Sequence, residues 1–423
     1  MTTPQPASGR CPAHAGEAAR PDRPFQPLPI YGPEFNADPH ATYALLRAQG
    51  PIAPVEISPG VWGYLTTTYR SALYLLRNTP NRFAKNPRHW QALANGQVPP
   101  DSPALMMMQP RDNALWMDGH DHARLRHAIT GSLARVDTHA LAATVTQIAD
   151  QLIDAFAPTG VCDLVAQYAD PLPMLTMIEV FGSPPEIGRR ITTAIARLFD
   201  TDQDAATANA DLENACLALT HLKRGAPQRD ITSWLIEASL SDEEMVQTIL
   251  LVIGAATTPS SNLITNAVQR IITNPRFAGS VHDGVQPVSD ALDEVLWTDP
   301  PVSNYSPLYT LGQQTFEGMV LQPGYPILVS FAAANGDPSL NLAPTSYAGN
   351  RGHLAFSAGV HACPAPDLAR IIAETAIERA LDRLPHLALA TTQLIRRPGT
   401  FHSGFTALPV RFQPAAALAP TGR

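Results

Sequence analysis

Cys363 ends the segment His353-Leu354-Ala355-Phe356-Ser357-Ala358-Gly359-Val360-His361-Ala362-Cys363 and stands just ahead of a helical stretch at about 364–381. Free amides and the dipole at a helix N-terminus favour an anion, so a thiol placed there is expected to ionise more readily and to serve as a soft metal ligand. Pro364 and Pro366 suit a first helical turn, where no intrahelical amide is required. Gly359 permits close approach of backbone to a flat ligand. A lone cysteine is more often a small buried hydrophobe, so this reading depends on its surroundings.

Three other groups of residues have spacing that bears on chemistry. His122 and Arg126 lie four apart in a helical stretch, hence on one face, where together they can hold an anionic group or form a solvated surface. Gly254-Ala255-Ala256-Thr257-Thr258 precedes Pro259 inside a long apolar run. That proline forfeits one intrahelical hydrogen bond and distorts the helix locally; in a plain buried helix the two threonines would only bond back to the chain. Glu294, three residues before Trp297, is a carboxylate in an apolar helix. Left without a donor it would be costly, and Arg351, the Trp297 indole N–H or backbone amides are the available partners.

The elements that position these residues read as mainly helical. A helix at 42–48 stopped by Gly50 leads into a hairpin, 52–57 and 61–66, around Pro59-Gly60. Apolar residues at three- and four-residue spacing predict helices at 118–135, 139–157, 185–200 and 205–224. The stretch 242–272 predicts one helix of about 45 Å, long enough to cross the whole domain. A short helix ends near Trp297, extended segments cover about 316–331, and strand character returns at 401–412. No internal repeat or second core is visible.

The 423 residues carry a formal net charge of -8 with 45% hydrophobic and 16% charged residues, which suits one large globular domain and argues against a nucleic-acid partner. Lysine occurs only at Lys85 and Lys223, so anion contacts fall to arginine and histidine. Cys11, Cys162, Cys216 and Cys363 form no Cys-x-x-Cys pair, which suggests neither a disulfide framework nor a zinc site. No apolar run reaches the ~18 residues of a membrane span and no signal-peptide core is present. A cytoplasmic monomer is expected, with tails at 1–29 and 416–423 around a domain at 30–415. The Cys11-Pro12 dipeptide falls in the first tail and is read as chance.

Phe356, Gly359, His361 and Cys363 resemble the haem-binding signature of cytochromes P450, Phe-x-x-Gly-x-His-x-Cys. The likeness extends over most of the ordered chain. It implies an α+β fold, mainly α with small sheets, with haem b (iron protoporphyrin IX) between the long central helix and the cysteine loop. Cys363 would be the iron ligand, with His122, Arg126 and His361 on the haem propionates. Gly254, Ala256 and Thr257 match the oxygen-binding groove, with Thr257 at the hydroxyl position.

The chain departs from the family in several places. Ala365 replaces a glycine, Ala256 stands where the groove acid belongs, and Trp297 replaces the arginine of Glu-x-x-Arg. The propionate arginine expected near Pro307 is missing, and Pro364 removes a backbone donor beside the sulfur.

The resemblance implies a monooxygenase or oxidase that uses dioxygen and electrons from ferredoxin and ferredoxin reductase. It would hydroxylate or oxidatively couple an apolar or aromatic secondary metabolite or a short peptide. Arg77, Arg124 and Arg370 would face an acidic ferredoxin, and Trp90, 106–109, 170–225 and 303–305 would line the substrate pocket. The alternative is a haem-binding sensor or partner protein with little turnover, which the changes at Ala256 and Trp297 would suit.

Overall fold

The structure is a computed structural model that describes residues 27–199, 205–277 and 287–418; Cys11 lies outside them. Asp38 caps the first long helix, Pro39–Gln49, by accepting the Ala41 N–H at 3.0 Å, and Gly50 at φ 140° ends it. Strands Ile52–Ser58 and Val61–Thr66 then pair antiparallel about Gly60, as the hairpin pattern predicts. Leu28–Pro29, expected in the tail, pairs parallel with Val55 and Glu56. A two-residue strand leaves no periodicity to read.

These strands open a six-stranded sheet in the order Leu28–Pro29, Ile52–Ser58, Val61–Thr66, Ile327–Ser330, Asn304–Thr310, Phe83–Ala84. The helices Gly119–Leu133, Thr138–Asp154, Pro185–Phe199 and Ala205–Gly225 match the predicted stretches to within a few residues. Through their midst runs Asp242–Thr273, begun by a capping box of Ser241 and Glu244 and continuous through Pro259. By length and composition alone this helix would pass for a membrane span, which the apolar runs of the sequence do not predict, and half of its most apolar window is buried inside the fold. Leu263, Ile264, Ala267 and Val268 on it share one core cluster with Ile372, Ala376 and Ile377 of the Pro366–Arg383 helix. The fold therefore holds the long helix and the cysteine helix together.

The stretch 401–412 is only partly strand: Pro409–Arg411 pairs in a three-stranded sheet, while His402 and Phe405 make single bridges. Its aromatic residues are buried from irregular backbone, which mimics a strand signal. Trp90, 1% exposed, and Met108 pack in the core beside the sheet instead of lining a pocket.

Candidate functional site

The cysteine loop is folded by its own backbone. The Cys363 N–H donates to the Phe356 carbonyl at 2.8 Å, and a short 3-10 turn, Gly359–His361, intervenes. Gly359 has φ 73°, and a Cβ there would lie 2.3 Å from the Leu76 carbonyl oxygen. Glycine is thus required both for the turn and for seating the loop on the Tyr69–Arg77 helix.

Cys363 is partly exposed. Burial raises its thiol pKa above the ordinary value, opposed by the Ala365 amide and the Arg126 guanidinium. This corrects the expectation of an acidified thiol: the helix begins only at Pro366, and desolvation outweighs the amides. Ala365 supplies a donor to the sulfur although Pro364 cannot. A bound metal cation would deprotonate such a thiol outright.

His122 and His361 come together beside it, ring centroids 4.0 Å apart, and among the described residues neither buried Nε2 atom has a hydrogen-bond partner. Burial, then His361 and Arg126, push the His122 pKa down to about 4; burial likewise lowers His361. Arg126 donates to the Ala362 carbonyl at 2.5 Å, which fixes it to the loop. Behind them Asp118 accepts the backbone N–H groups of Lys85 at 2.9 Å and Asn86 at 3.0 Å, with His361 Nε2 at 3.9 Å.

Lys85 belongs to this cluster, and sequence reasoning missed it. Its side chain is 0% exposed, and its ammonium donates to Ser306 Oγ at 2.7 Å and lies 3.8 Å from the Tyr305 ring centre. Burial holds its pKa well below the ordinary lysine value, against the pull of Asp118. Among the described residues no carboxylate forms an ion pair with it, whereas Lys223 pairs with Asp230 at 2.5 Å. The available signal was the scarcity of lysine. Tyr305, expected in the substrate pocket, also points here, with its hydroxyl 3.4 Å from the His361 carbonyl.

On the long helix Gly254 and Ala255 are exposed in mid-helix, and nothing lies within 4 Å of a Cβ built on Gly254. Thr257 Oγ1 is 3.4 Å from the Gly254 carbonyl, a bond back to its own chain. Pro259 denies the Ala255 carbonyl its usual N–H partner.

Glu294 finds its donors elsewhere than expected: Arg276 at 3.1 Å and Arg270 at 3.7 Å. Arg351 pairs with Asp367, and the Trp297 indole N–H donates to the Asn350 carbonyl at 2.8 Å. Of the three arginines expected on a docking face, Arg77 is exposed and Arg124 is exposed but bonded to Glu244. Arg370 is 3% exposed and paired with Asp293, so it cannot face a partner.

No family model matches the chain. It is, however, 31% identical over 407 residues to the cytochrome P450 monooxygenase PikC of Streptomyces venezuelae, covering 92% of this chain and 95% of that protein. The chain belongs to the cytochrome P450 family. It is 30% identical over 402 residues to the 2-hydroxy-5-methyl-1-naphthoate 7-hydroxylase of Streptomyces carzinostaticus, covering 90% of this chain and 97% of that one. The P450 CYP154C4 from Streptomyces sp. W2061 superposes with a TM-score of 0.83 at 28% identity, covering 94% of this chain and 100% of that one. The protein is thus a bacterial-type P450 monooxygenase with the P450 fold and uses haem b.

Proposed function

We propose that Cys363 ligates the haem iron and that His122, Arg126, His361 and Lys85 hold the haem carboxylates, with Phe356 and Gly359 forming the loop against the macrocycle. The observation that carries this assignment is the set of buried donors beside Cys363. Among the described residues the His122 and His361 Nε2 atoms have no hydrogen-bond partner, with Asp118 no nearer than 3.9 Å to His361, and the Lys85 ammonium donates to Ser306 and has no carboxylate paired with it. Buried donors of this kind are costly unless they meet an anion. Lys85, beside Ser306, supplies the positive charge that the missing arginine near Pro307 would have given.

When bound, the thiolate-ligated haem supplies reductive activation of dioxygen and transfer of oxygen to substrate. The chain's own contribution is to place Cys363 where a bound metal cation would deprotonate it, with the Ala365 amide and the Arg126 guanidinium beside the sulfur, to fix the haem's orientation, and to deliver protons through Thr257, with Gly254 leaving room at the groove. Ala256 can relay none. The substrate is an apolar, ring-containing small molecule of secondary metabolism, a class supported by the naphthoate hydroxylase already named and by a vitamin D(3) 25-hydroxylase of Pseudonocardia autotrophica, 30% identical over 403 residues. Electrons come from NAD(P)H through ferredoxin reductase and ferredoxin.

Reconstitution with a surrogate ferredoxin system and a panel of fused-ring substrates tests the proposal. A hydroxylated or coupled product supports it. A normal carbonyl spectrum without product from any of the panel would favour the sensor alternative, which the alanine at position 256 suits.

A further inference from the structure

Glu294, the residue that matches the carboxylate of Glu-x-x-Arg, is tied by Arg276 and Arg270 to the end of the long helix. Its neighbour Asp293 faces another way, since successive helix residues point about 100° apart. Asp293 is 3% exposed; one oxygen accepts the Gly349 N–H at 2.8 Å and the other accepts Arg370 at 2.6 Å. Arg370 lies on the Pro366–Arg383 helix that follows Cys363, and its other nitrogen reaches Glu374 at 3.1 Å. One turn beyond Asp293, Trp297 holds the Asn350 carbonyl and stacks on Tyr347 with ring centres 6.1 Å apart. Asn335 completes the set, donating to the Leu296 carbonyl at 2.9 Å and accepting the Leu354 N–H at 2.8 Å.

We infer that in this protein Asp293, paired with Arg370, is the positioning carboxylate for the cysteine loop, that Trp297 assists by fixing Asn350, and that Glu294, which matches the glutamate of Glu-x-x-Arg, is not part of this support. The inference rests on the haem-thiolate reading. One oxygen of Asp293 grips the segment that enters the loop and the other grips the helix that leaves it. A single side chain therefore sets the distance between the two ends of the Cys363 segment. The pair is charge-assisted and buried, so removing one partner strands the other. Among the described residues Glu294 is turned toward Arg270 and Arg276, at the far end of the long helix, and its carboxylate pairs with these two.

The test uses the full haem-loaded chain and reads the reduced carbon-monoxide spectrum and the rate of haem loss to excess apomyoglobin. Glu294→Gln keeps the band at about 450 nm and loses haem at close to the wild-type rate. Asp293→Asn moves most of the band to shorter wavelength and loses haem on the order of tenfold faster, the effect expected when support for a metal ligand is removed. Should Asp293→Asn fail to accumulate, Arg370→Lys carries the test. It keeps the charge but cannot fork between Asp293 and Glu374, so a mixed spectrum and faster haem loss are expected. The inference is overturned if Glu294→Gln shows the defects expected of Asp293→Asn, or if Arg370→Lys matches the wild type in both readouts. A wild type lacking the 450 nm band would instead overturn the haem-thiolate reading itself.

Discussion

Ala256 places the heaviest demand on the residues around it. In the proposed groove a side chain that neither donates nor accepts a proton stands at the acid position, so Thr257 would have only water or a polar group on the substrate to recharge it. With a poor substrate, much of the NAD(P)H consumed should therefore appear as hydrogen peroxide. Thr257→Ala should raise that fraction and cut product formation by up to about 10²-fold, while Ala256→Asp should lower the peroxide yield. Tight coupling on many unrelated substrates, unchanged in Thr257→Ala, would place the proton route elsewhere. His353 gives a second residue-scale expectation. It is 7% exposed, both ring nitrogens lack partners among the described residues, and burial pushes its pKa down to about 4. Unfolded histidine titrates near ~6.5, so as pH falls from there toward 4 the unfolded chain binds a proton that the folded one does not. Stability should drop through that window by on the order of 1–3 kcal/mol from this residue. His353→Phe should flatten the fall in melting temperature between pH 7 and pH 5; an unchanged slope would show that His353 is not held neutral. What could be read at this scale were residues close in sequence: Cys363 with His361 and Gly359, and His122 with Arg126. Lys85 could not be read, because the Asp118, Tyr305 and Ser306 that surround it come from distant parts of the chain. Glu294's partners were missed for the same reason.

Two elements decide whether the cysteine loop holds its place. Gly359 seats it against the Tyr69–Arg77 helix, where a Cβ would meet the Leu76 carbonyl and the backbone is left-handed. Gly359→Ala should cost ~2 kcal/mol or more from conformation and crowding together, seen as a lower melting temperature and faster haem loss. The Val288–Thr298 helix braces the segments on either side of the loop through Asp293, which bonds Gly349 and Arg370, and Trp297, which bonds Asn350. Because Glu294 already has two arginines and Trp297 is 4% exposed against Tyr347 and His353, restoring the family's motif by Trp297→Arg would bury a third guanidinium with an incomplete shell. Thermal melting should show a loss of about 3 kcal/mol or more; a rise would mean that Glu294 is free to pair with it. Long amphipathic helices were legible because periodicity over many residues averages out local exceptions. The 401–412 stretch was over-read as strand because burial of its aromatic residues, not a ladder, explains their pattern.

At the scale of the molecule, the long helix and the cysteine helix share one core cluster, so the groove residues and the thiol are held by a common framework. The net charge of -8 would oppose approach of the acidic ferredoxin proposed as electron donor, so in that proposal local arginines steer it. With Arg370 buried, only Arg77 and Arg124 of the expected three remain on the surface. Replacing both by glutamine should slow reduction by ferredoxin and weaken its dependence on salt; stopped-flow rates unchanged at low and high salt would place docking elsewhere. The central claim is that Cys363 supplies a thiolate to haem iron. The reduced carbon-monoxide spectrum of the wild type and of Cys363→Ser tests it most directly. The wild type should show a Soret band at about 450 nm that is absent in the variant, because a serine hydroxyl stays protonated and is a poor soft ligand. A variant that kept the band would contradict the account and show that another residue ligates the iron.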